Sequence, residues 1–229
     1  MSDTFASVSS TEAQADTASR SDLRTHLEVL AILAAIFVTQ SALPDENWSR
    51  AIQIILQAVA LTLTLRLGTL SHPVIAIGRV VVMIAVISAI VATFVDGGRG
   101  VMLFINLVLV ALAPIAILRA IRNHLQINWA TVVGAISMFL CIGLFFACFH
   151  QIIYEFDDAA FVVANGDLQP ATFQYFSFIT LTTVGFGDVL AVSNFARTMT
   201  ALEAIIGQIF LVTVVALVVG NIGRTRQNR

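Results

Sequence analysis

Lysine is absent from the chain, and charged residues of either sign are few. Each of the twelve basic residues is an arginine, and charged residues make up 11% of the 229 positions, against 58% for hydrophobic residues. A soluble domain of this composition would have too few polar side chains to cover its surface. The clustered lysines and arginines of a nucleic-acid-binding face are also missing. The composition therefore predicts an integral membrane protein without a nucleic-acid partner.

Cysteine is scarce as well. Cys141 and Cys148 lie seven positions apart in one apolar run, and in a helix that spacing separates the two α-carbons by about 10 Å. Because this distance exceeds the reach of a disulfide bond, we expect two buried and unpaired thiols.

Aliphatic residues are nearly absent from the first part of the chain. Residues 1–22 are rich in Ser, Thr, Ala and Asp, a composition that buries too little apolar surface to order itself. Acidic residues precede the first apolar run, whereas a secretory signal peptide begins with basic residues. Residues 1–24 are therefore predicted to form a disordered cytoplasmic tail.

Long apolar runs, by contrast, are abundant, and each is near the roughly 20 residues that cross a bilayer. Charged and turn-forming residues separate them. The predicted fold is all-α, with four transmembrane helices in residues 25–122 and two more in the pore domain, residues 123–229. The six runs are residues 27–43, 51–70, 74–95, 101–118, 129–154 and 198–222.

The arginines set the predicted orientation, because positively charged loops tend to stay cytoplasmic. With six spans, the arginines before the first span and near the second, fourth and sixth span ends fall mainly on one side, and acidic residues dominate the other. Both termini are therefore predicted to be cytoplasmic, in a protein of the plasma membrane. The four arginines near inner span ends could bind anionic lipid or simply satisfy the positive-inside bias; they are Arg66, Arg79, Arg119 and Arg122.

The segment between the fifth and sixth spans, residues 155–196, is too long and too apolar at its centre for a simple outer loop. Pro170 suits a first helical position, and residues 171–181 then predict a helix of about 11 residues, half of what a span needs. Non-helical backbone at membrane depth is tolerated where it lines a water-filled path. The sequence therefore predicts a re-entrant pore helix followed by a pore-lining strand.

Residues 182–188 of this strand read TTVGFGD. The string resembles the selectivity filter of the potassium channel family, in which backbone carbonyls replace the water shell of a K⁺ ion. The resemblance covers residues 129–223 and implies a homotetramer that conducts K⁺ passively and needs no cofactor besides K⁺ in the filter. It also implies the filter residues Thr183, Val184, Gly185, Phe186 and Gly187, with K⁺ bound by the carbonyls of the first four and by the Thr183 hydroxyl.

The same resemblance implies residues that support the filter, namely Thr182, Tyr175 and Asp188. Tyr175 matches an aromatic position behind the filter, from which a hydroxyl could hydrogen-bond Asp188. Phe186 departs from the tyrosine that the family often has, which removes a hydroxyl that would brace the filter. The acidic ring of sodium and calcium filters is missing. Potassium selectivity is therefore expected, with a weakly selective cation channel of the same fold as the alternative.

In the sixth span, Gly207 falls where the family usually has a glycine about which the inner helix bends. Close helix packing by a small residue explains this glycine equally well. In the same register, Leu211, Val215 and Val219 are predicted to face the lower cavity and form a hydrophobic constriction.

The fourth span, residues 101–118, contains no ionisable residue. In the voltage-gated relatives that share this layout, arginine recurs at every third position, and each charge that crosses 100 mV is worth ~2.3 kcal/mol. The sequence therefore predicts a channel without a working voltage sensor. We also expect no cytoplasmic ligand-binding domain after the sixth span, because few residues follow it.

Two other classes of membrane protein would fit this size. An intramembrane serine protease could use Ser137 and His150, but the Gly-x-Ser-Gly setting of such a nucleophile is absent. A secondary transporter would need internal repeats with paired broken helices, and the sequence has one interruption. We therefore expect no enzymatic activity. His150 is interpreted as a polar residue near the outer interface, and Glu203 as structurally paired behind the filter.

Overall fold

The computed structural model describes residues 23–44, 46–67, 76, 79–80, 82–84, 87, 99–122 and 129–227. Within these residues the chain is mainly helical, with two short strands on either side of a half-length helix. In chain order the elements are α1 (Leu23–Ala42), α2 (Asn47–Leu67), α3 (Arg99–Arg122), α4 (Trp129–Phe156), β1 (Phe161–Val163), α5 (Pro170–Leu181), β2 (Val189–Ala191) and α6 (Asn194–Gln227).

Four of the described helices are long and apolar enough to cross a membrane. A shorter apolar stretch, Leu103–Pro114, lies within α3. The third predicted span, residues 74–95, lies largely outside the described residues, so the total of six spans stays a prediction. The four membrane-length stretches are Leu23–Ala42, Trp48–Leu65, Trp129–Phe156 and Asn194–Val214.

The helix ends differ from the predicted span ends by a few residues. α1 begins at Leu23, inside the region predicted as a tail, and its first turns already bury His26 and Val29; the rest of that tail lies outside the described residues. α6 begins at Asn194 rather than at residue 198, and the Thr198 hydroxyl donates to the Asn194 carbonyl at 2.8 Å. The ends differ because an apolar run stops at the first polar residues, whereas the hydrogen bonds of a helix continue through them.

Apolar side chains attach the first three described helices to α4. Burial of this kind stabilises by about 25 cal/mol per Å² of apolar surface. Both cysteines are buried and free, as predicted. The main cluster joins α1, α2, α3 and α4 and consists of Val29, Leu33, Ile36, Ala60, Val110, Ala113, Cys141 and Leu144.

The half-length helix α5 begins and ends with local hydrogen bonds. Pro170 occupies its first turn, and the Thr172 hydroxyl accepts the Gln169 N–H at 3.3 Å. At the other end, the Thr182 N–H donates to the Phe178 carbonyl at 3.0 Å. The helix predicted at residues 171–181 is therefore present and begins one residue earlier.

Two three-residue strands join the segments before and after the TTVGFGD sequence. β1 pairs antiparallel with β2, with Val162 opposite Leu190, and the Ala164 N–H donates to the Asp188 carbonyl at 2.8 Å. The described fold is otherwise helical, as predicted, and this small two-stranded ladder was not predicted. Three residues carry too short an apolar pattern to distinguish a strand from a loop.

Candidate functional site: the strand that follows the half-length helix

We call residues 182–188, which follow α5 and belong to neither β1 nor β2, the strand. Its backbone is unusual. The φ angle is 60° at Thr183, 51° at Gly185 and 80° at Gly187, so left-handed residues alternate with Val184 and Phe186. Glycine adopts these angles freely, whereas β-branched Thr183 is an outlier. Such outliers persist where the surroundings hold them, and they cluster at functional sites.

Main-chain hydrogen bonds tie the start of this strand to the last turn of α5. The Ile179 carbonyl accepts the N–H of Val184 at 2.8 Å and that of Gly185 at 3.1 Å. The Thr180 carbonyl accepts the N–H of Thr183 at 2.9 Å. Thr183 and the two residues after it are thus all bonded to the last turn of α5, and these bonds hold the left-handed angle at Thr183.

The Tyr175 hydroxyl donates to Asp188 Oδ2 at 2.8 Å, and the Tyr175 ring stacks on Phe186 with centroids 6.4 Å apart. A tyrosine hydroxyl carries its hydrogen at neutral pH, so Tyr175 is the donor and the Asp188 carboxylate the acceptor. The contact expected between these two side chains is present, while its effect on a filter stays a prediction.

Helix α6 approaches the end of α5 at Gly207. A β-carbon at this position would collide with the carbonyl oxygen of Leu181, the last residue of α5. The structure therefore gives Gly207 a packing role, and a bend about it stays a prediction. Leu211 is exposed in the chain, whereas the side chains of Val215 and Val219 lie outside the described part of α6.

Behind the strand, three helices meet at buried polar side chains. Glu203 of α6 and His150 of α4 are fully buried, and Glu203 Oε2 lies 2.8 Å from His150 Nε2. Glu203 Oε1 also contacts the Ser177 hydroxyl of α5. The same hydroxyl lies 2.7 Å from the Gly143 carbonyl of α4. The structural pairing expected of Glu203 is therefore present.

The structure places the His150 side chain inside the protein, while its level near the outer interface stays a prediction. Its side chain is fully buried, and the rings of Phe146, Phe161 and Phe176 surround it with centroids 6.2, 5.4 and 5.2 Å away. Its partner Glu203 lies 53 residues further along the chain, so no local pattern joins the two. The sequence does indicate that His150 and Glu203 need partners, because an ionisable side chain in an apolar run is costly unless it is paired.

The residues considered for a serine protease do not form a catalytic pair. The Ser137 hydroxyl donates to the Val133 carbonyl of its own helix at 2.9 Å, while His150 contacts Glu203. A cluster of three or more His, Cys, Asp or Glu side chains that could hold a metal ion is also absent from the part of the chain that the structure describes.

Helix α1 reaches the half-length helix directly. Gln174 of α5 is buried, and its Nε2 donates to the Phe37 carbonyl of α1 at 2.9 Å. The Phe37 ring meets the edge of Phe178 with centroids 4.9 Å apart. Sequence periodicity could not reveal this contact, because the two segments are 137 residues apart.

The single chain leaves both the strand and one apolar face of α6 uncovered. All of residues 182–188 are exposed, with 71% of Phe186 accessible. The exposed apolar residues on this face of α6 include Leu202, Ile205, Ile206, Ile209 and Val212.

A half-length helix that lies between two membrane-length helices and is followed by left-handed residues fits an integral membrane protein, while the re-entrant position of this helix stays a prediction. In agreement, residues 136–223 match a family model described as Ion channel. The match covers 88 of the 229 residues and supports an ion channel rather than an enzyme. Neither the curated proteins nor the solved structures contain a significant match.

Proposed function

We propose that the protein is the subunit of a homotetrameric potassium channel and that residues 182–188 form its selectivity filter. One observation carries the proposal, namely the left-handed residues that alternate along a strand at the end of α5. Such alternation turns successive carbonyls toward one side, and rings of carbonyls can replace the hydration shell of K⁺. The proposed ligands are the carbonyls of Thr183, Val184, Gly185 and Phe186 with the Thr183 hydroxyl.

Four copies are required because one strand cannot surround an ion. The exposure of residues 182–188 in the single chain supports this assembly. A strand with outward carbonyls would be costly in lipid, so it needs neighbouring chains and ions to cover it. The exposed apolar face of α6 provides further surface for those neighbours.

Charge supports a cation as the transported species. The C-terminal end of α5, at Leu181, carries partial negative charge from the helix dipole, and the strand begins there. Asp188 is the acidic residue of the 182–188 segment, and Tyr175 holds its carboxylate. Without further acidic side chains in this segment, carbonyls supply the selectivity, which favours K⁺.

A weakly selective cation channel is the second candidate. Phe186 lacks a hydroxyl, and its ring is largely exposed apart from the stack on Tyr175. A strand that is braced less firmly would admit ions of other sizes. This observation is the reason to measure the permeability ratio rather than conduction alone.

The remaining parts of the proposal concern the setting of the pore. The channel lies in the plasma membrane with both termini cytoplasmic, and K⁺ is its transported ion. Voltage does not open it steeply, since residues 101–118 contain no ionisable side chain. Gly207, Leu211, Val215 and Val219 form the inner-helix bend and cavity. The arginines assigned to anionic lipid headgroups are Arg66, Arg79, Arg119 and Arg122.

The experiment is a reversal-potential measurement on the purified protein in planar bilayers with opposed K⁺ and Na⁺ gradients. We expect the reversal potential to follow the K⁺ gradient, and protein-free bilayers provide the control. An equal response to both gradients would favour the weakly selective channel. A reversal potential that follows Na⁺ alone would reject the filter.

A further inference from the structure

The buried side chains behind the filter make three polar contacts, and each contact needs a hydrogen atom. Ser177 Oγ lies 2.7 Å from the Gly143 carbonyl and also contacts Glu203 Oε1. Glu203 Oε2 lies 2.8 Å from His150 Nε2. Each of these three contacts needs one hydrogen between its two heavy atoms, and buried polar contacts are normally satisfied.

Ser177 decides the state of the carboxyl group. Its hydroxyl has one hydrogen, and the Gly143 carbonyl can only accept. Ser177 therefore donates to Gly143 and can only accept from Glu203, which requires a hydrogen on Oε1 of the carboxyl group. With an ionised Glu203, one serine hydrogen would face two acceptors, and one of the two contacts would have no hydrogen.

His150 fits the same arrangement. The second carboxyl oxygen of Glu203 accepts from Nε2–H, and Nδ1 has no partner among the described residues. A neutral ring with its hydrogen on Nε2 leaves only a lone pair at Nδ1. An imidazolium, or the other tautomer, would leave a buried N–H without an acceptor, which is expensive. The described groups around the ring are Phe146, Phe161 and Phe176, and none of them titrates.

We propose that Glu203 is a neutral carboxylic acid and a positioning residue for the filter. Its hydrogen completes a chain of bonds from His150 of α4 through Glu203 of α6 and Ser177 of α5 to Gly143 of α4. This chain fixes α5, the helix that carries the strand, between the two long helices that flank it. The positioning role rests on the proposed potassium pore, whereas the protonation does not.

The arrangement has a consequence for pH. Loss of the hydrogen from Glu203 leaves Ser177 between two acceptors and places a charge in an apolar environment. The titratable side chain that contacts Glu203 in the described structure is His150, whose neutral form cannot compensate that charge. We therefore expect the conducting state to be lost at alkaline pH.

Infrared spectroscopy of the reconstituted full chain tests the protonation. At neutral pH the parent should show the carbonyl band of a buried carboxylic acid, and this band should be lost in Glu203→Gln and retained in Asp158→Asn, a substitution at an exposed acidic residue. Absence of the band from the parent, or its survival in Glu203→Gln, would overturn the proposal.

Current recordings test the positioning role. Glu203→Gln keeps a neutral group with one donor and one acceptor end, so it should retain the duration of the parent currents and remove their loss at alkaline pH. Glu203→Ala should shorten the currents. If Glu203→Gln assembles but fails as Glu203→Ala does, charge rather than hydrogen is needed and the role is wrong. If no variant or parent conducts K⁺, the proposed function fails, while the infrared band still decides the protonation.

Discussion

Apolar clusters hold both the front region, α1 to α3, and the pore region, α4 to α6, but the pore region adds hydrogen bonds between side chains of separate elements. The front region attaches to α4 through a cluster of aliphatic side chains. In the pore region, polar side chains join separate elements, as in Glu203 with Ser177 and Tyr175 with Asp188. Apolar burial has no preferred direction, whereas a hydrogen bond sets distance and angle. The difference indicates that the pore region is built for fixed geometry and that the front region supports it.

The largest effect should come from the strand itself. Gly185 has a φ of 51°, and a β-carbon there would meet nothing within 4 Å. Gly185→Ala therefore adds backbone strain of about 1–2 kcal/mol without a collision, and we expect loss of K⁺ current with assembly retained. Current recording and size-exclusion chromatography measure the two properties.

Gly166 offers a matched control for this substitution. It also has a positive φ, 84°, with nothing within 4 Å of an added β-carbon, but it lies in the loop between β1 and α5. Gly166→Ala should cost similar stability and leave conduction unchanged. Normal currents from Gly185→Ala would remove the filter assignment.

The second effect concerns the packing of α6 on α5. In a helix interior, Gly→Ala usually stabilises by about 0.5–1 kcal/mol, whereas overpacking costs typically 1–3 kcal/mol. Because the added β-carbon of Gly207→Ala would collide with the Leu181 carbonyl, we expect net destabilisation in thermal unfolding. A raised unfolding temperature together with altered opening would instead favour the bend predicted from sequence.

These positions show how far sequence reasoning extends. The half-length helix and the strand after it could be predicted, because proline, apolar length and glycine spacing are local signals. The contact of His150 with Glu203 and that of Gln174 with Phe37 could not, since each joins segments that are distant in sequence. The short strand β1 was not predicted for a different reason, because its pairing with β2 rather than its composition defines it.

A smaller effect is expected at the outer end of the strand. Tyr175→Phe removes the hydroxyl that donates to Asp188 but keeps the ring stacked on Phe186. We expect the current to decay at a different rate while the K⁺ to Na⁺ permeability ratio stays the same. Identical decay in parent and variant, recorded side by side, would count against a role for the bond.

The joint between the two regions should tolerate change better than the pore region does. Gln174→Leu removes the hydrogen bond to the Phe37 carbonyl, but Gln174 Oε1 has no described partner to lose. Because a neutral hydrogen bond contributes about 0.5–1.5 kcal/mol net, we expect a small fall in unfolding temperature and unchanged selectivity. The comparison variant Phe37→Leu removes the ring contact with Phe178. It therefore tests the apolar part of the contact between α1 and α5 separately from the hydrogen bond. Lost selectivity in Gln174→Leu would show that the front region sets filter geometry.

The smallest effect, none at all, is expected from the arginines that follow the apolar part of α3. A charge that crosses 100 mV contributes ~2.3 kcal/mol to opening. Residues 101–118 contain no ionisable side chain, so the membrane voltage does no work on this part of α3. Arg119 and Arg122 end α3, where arginines can extend to lipid headgroups. The double substitution Arg119→Gln with Arg122→Gln should therefore leave the conductance–voltage curve shallow and unchanged, as should Arg99→Gln at the opposite end of the helix. A parent curve as steep as ~10 gating charges per tetramer, flattened by the double substitution but not by Arg99→Gln, would show that the front region senses voltage. The front region would then control opening instead of only supporting the pore region.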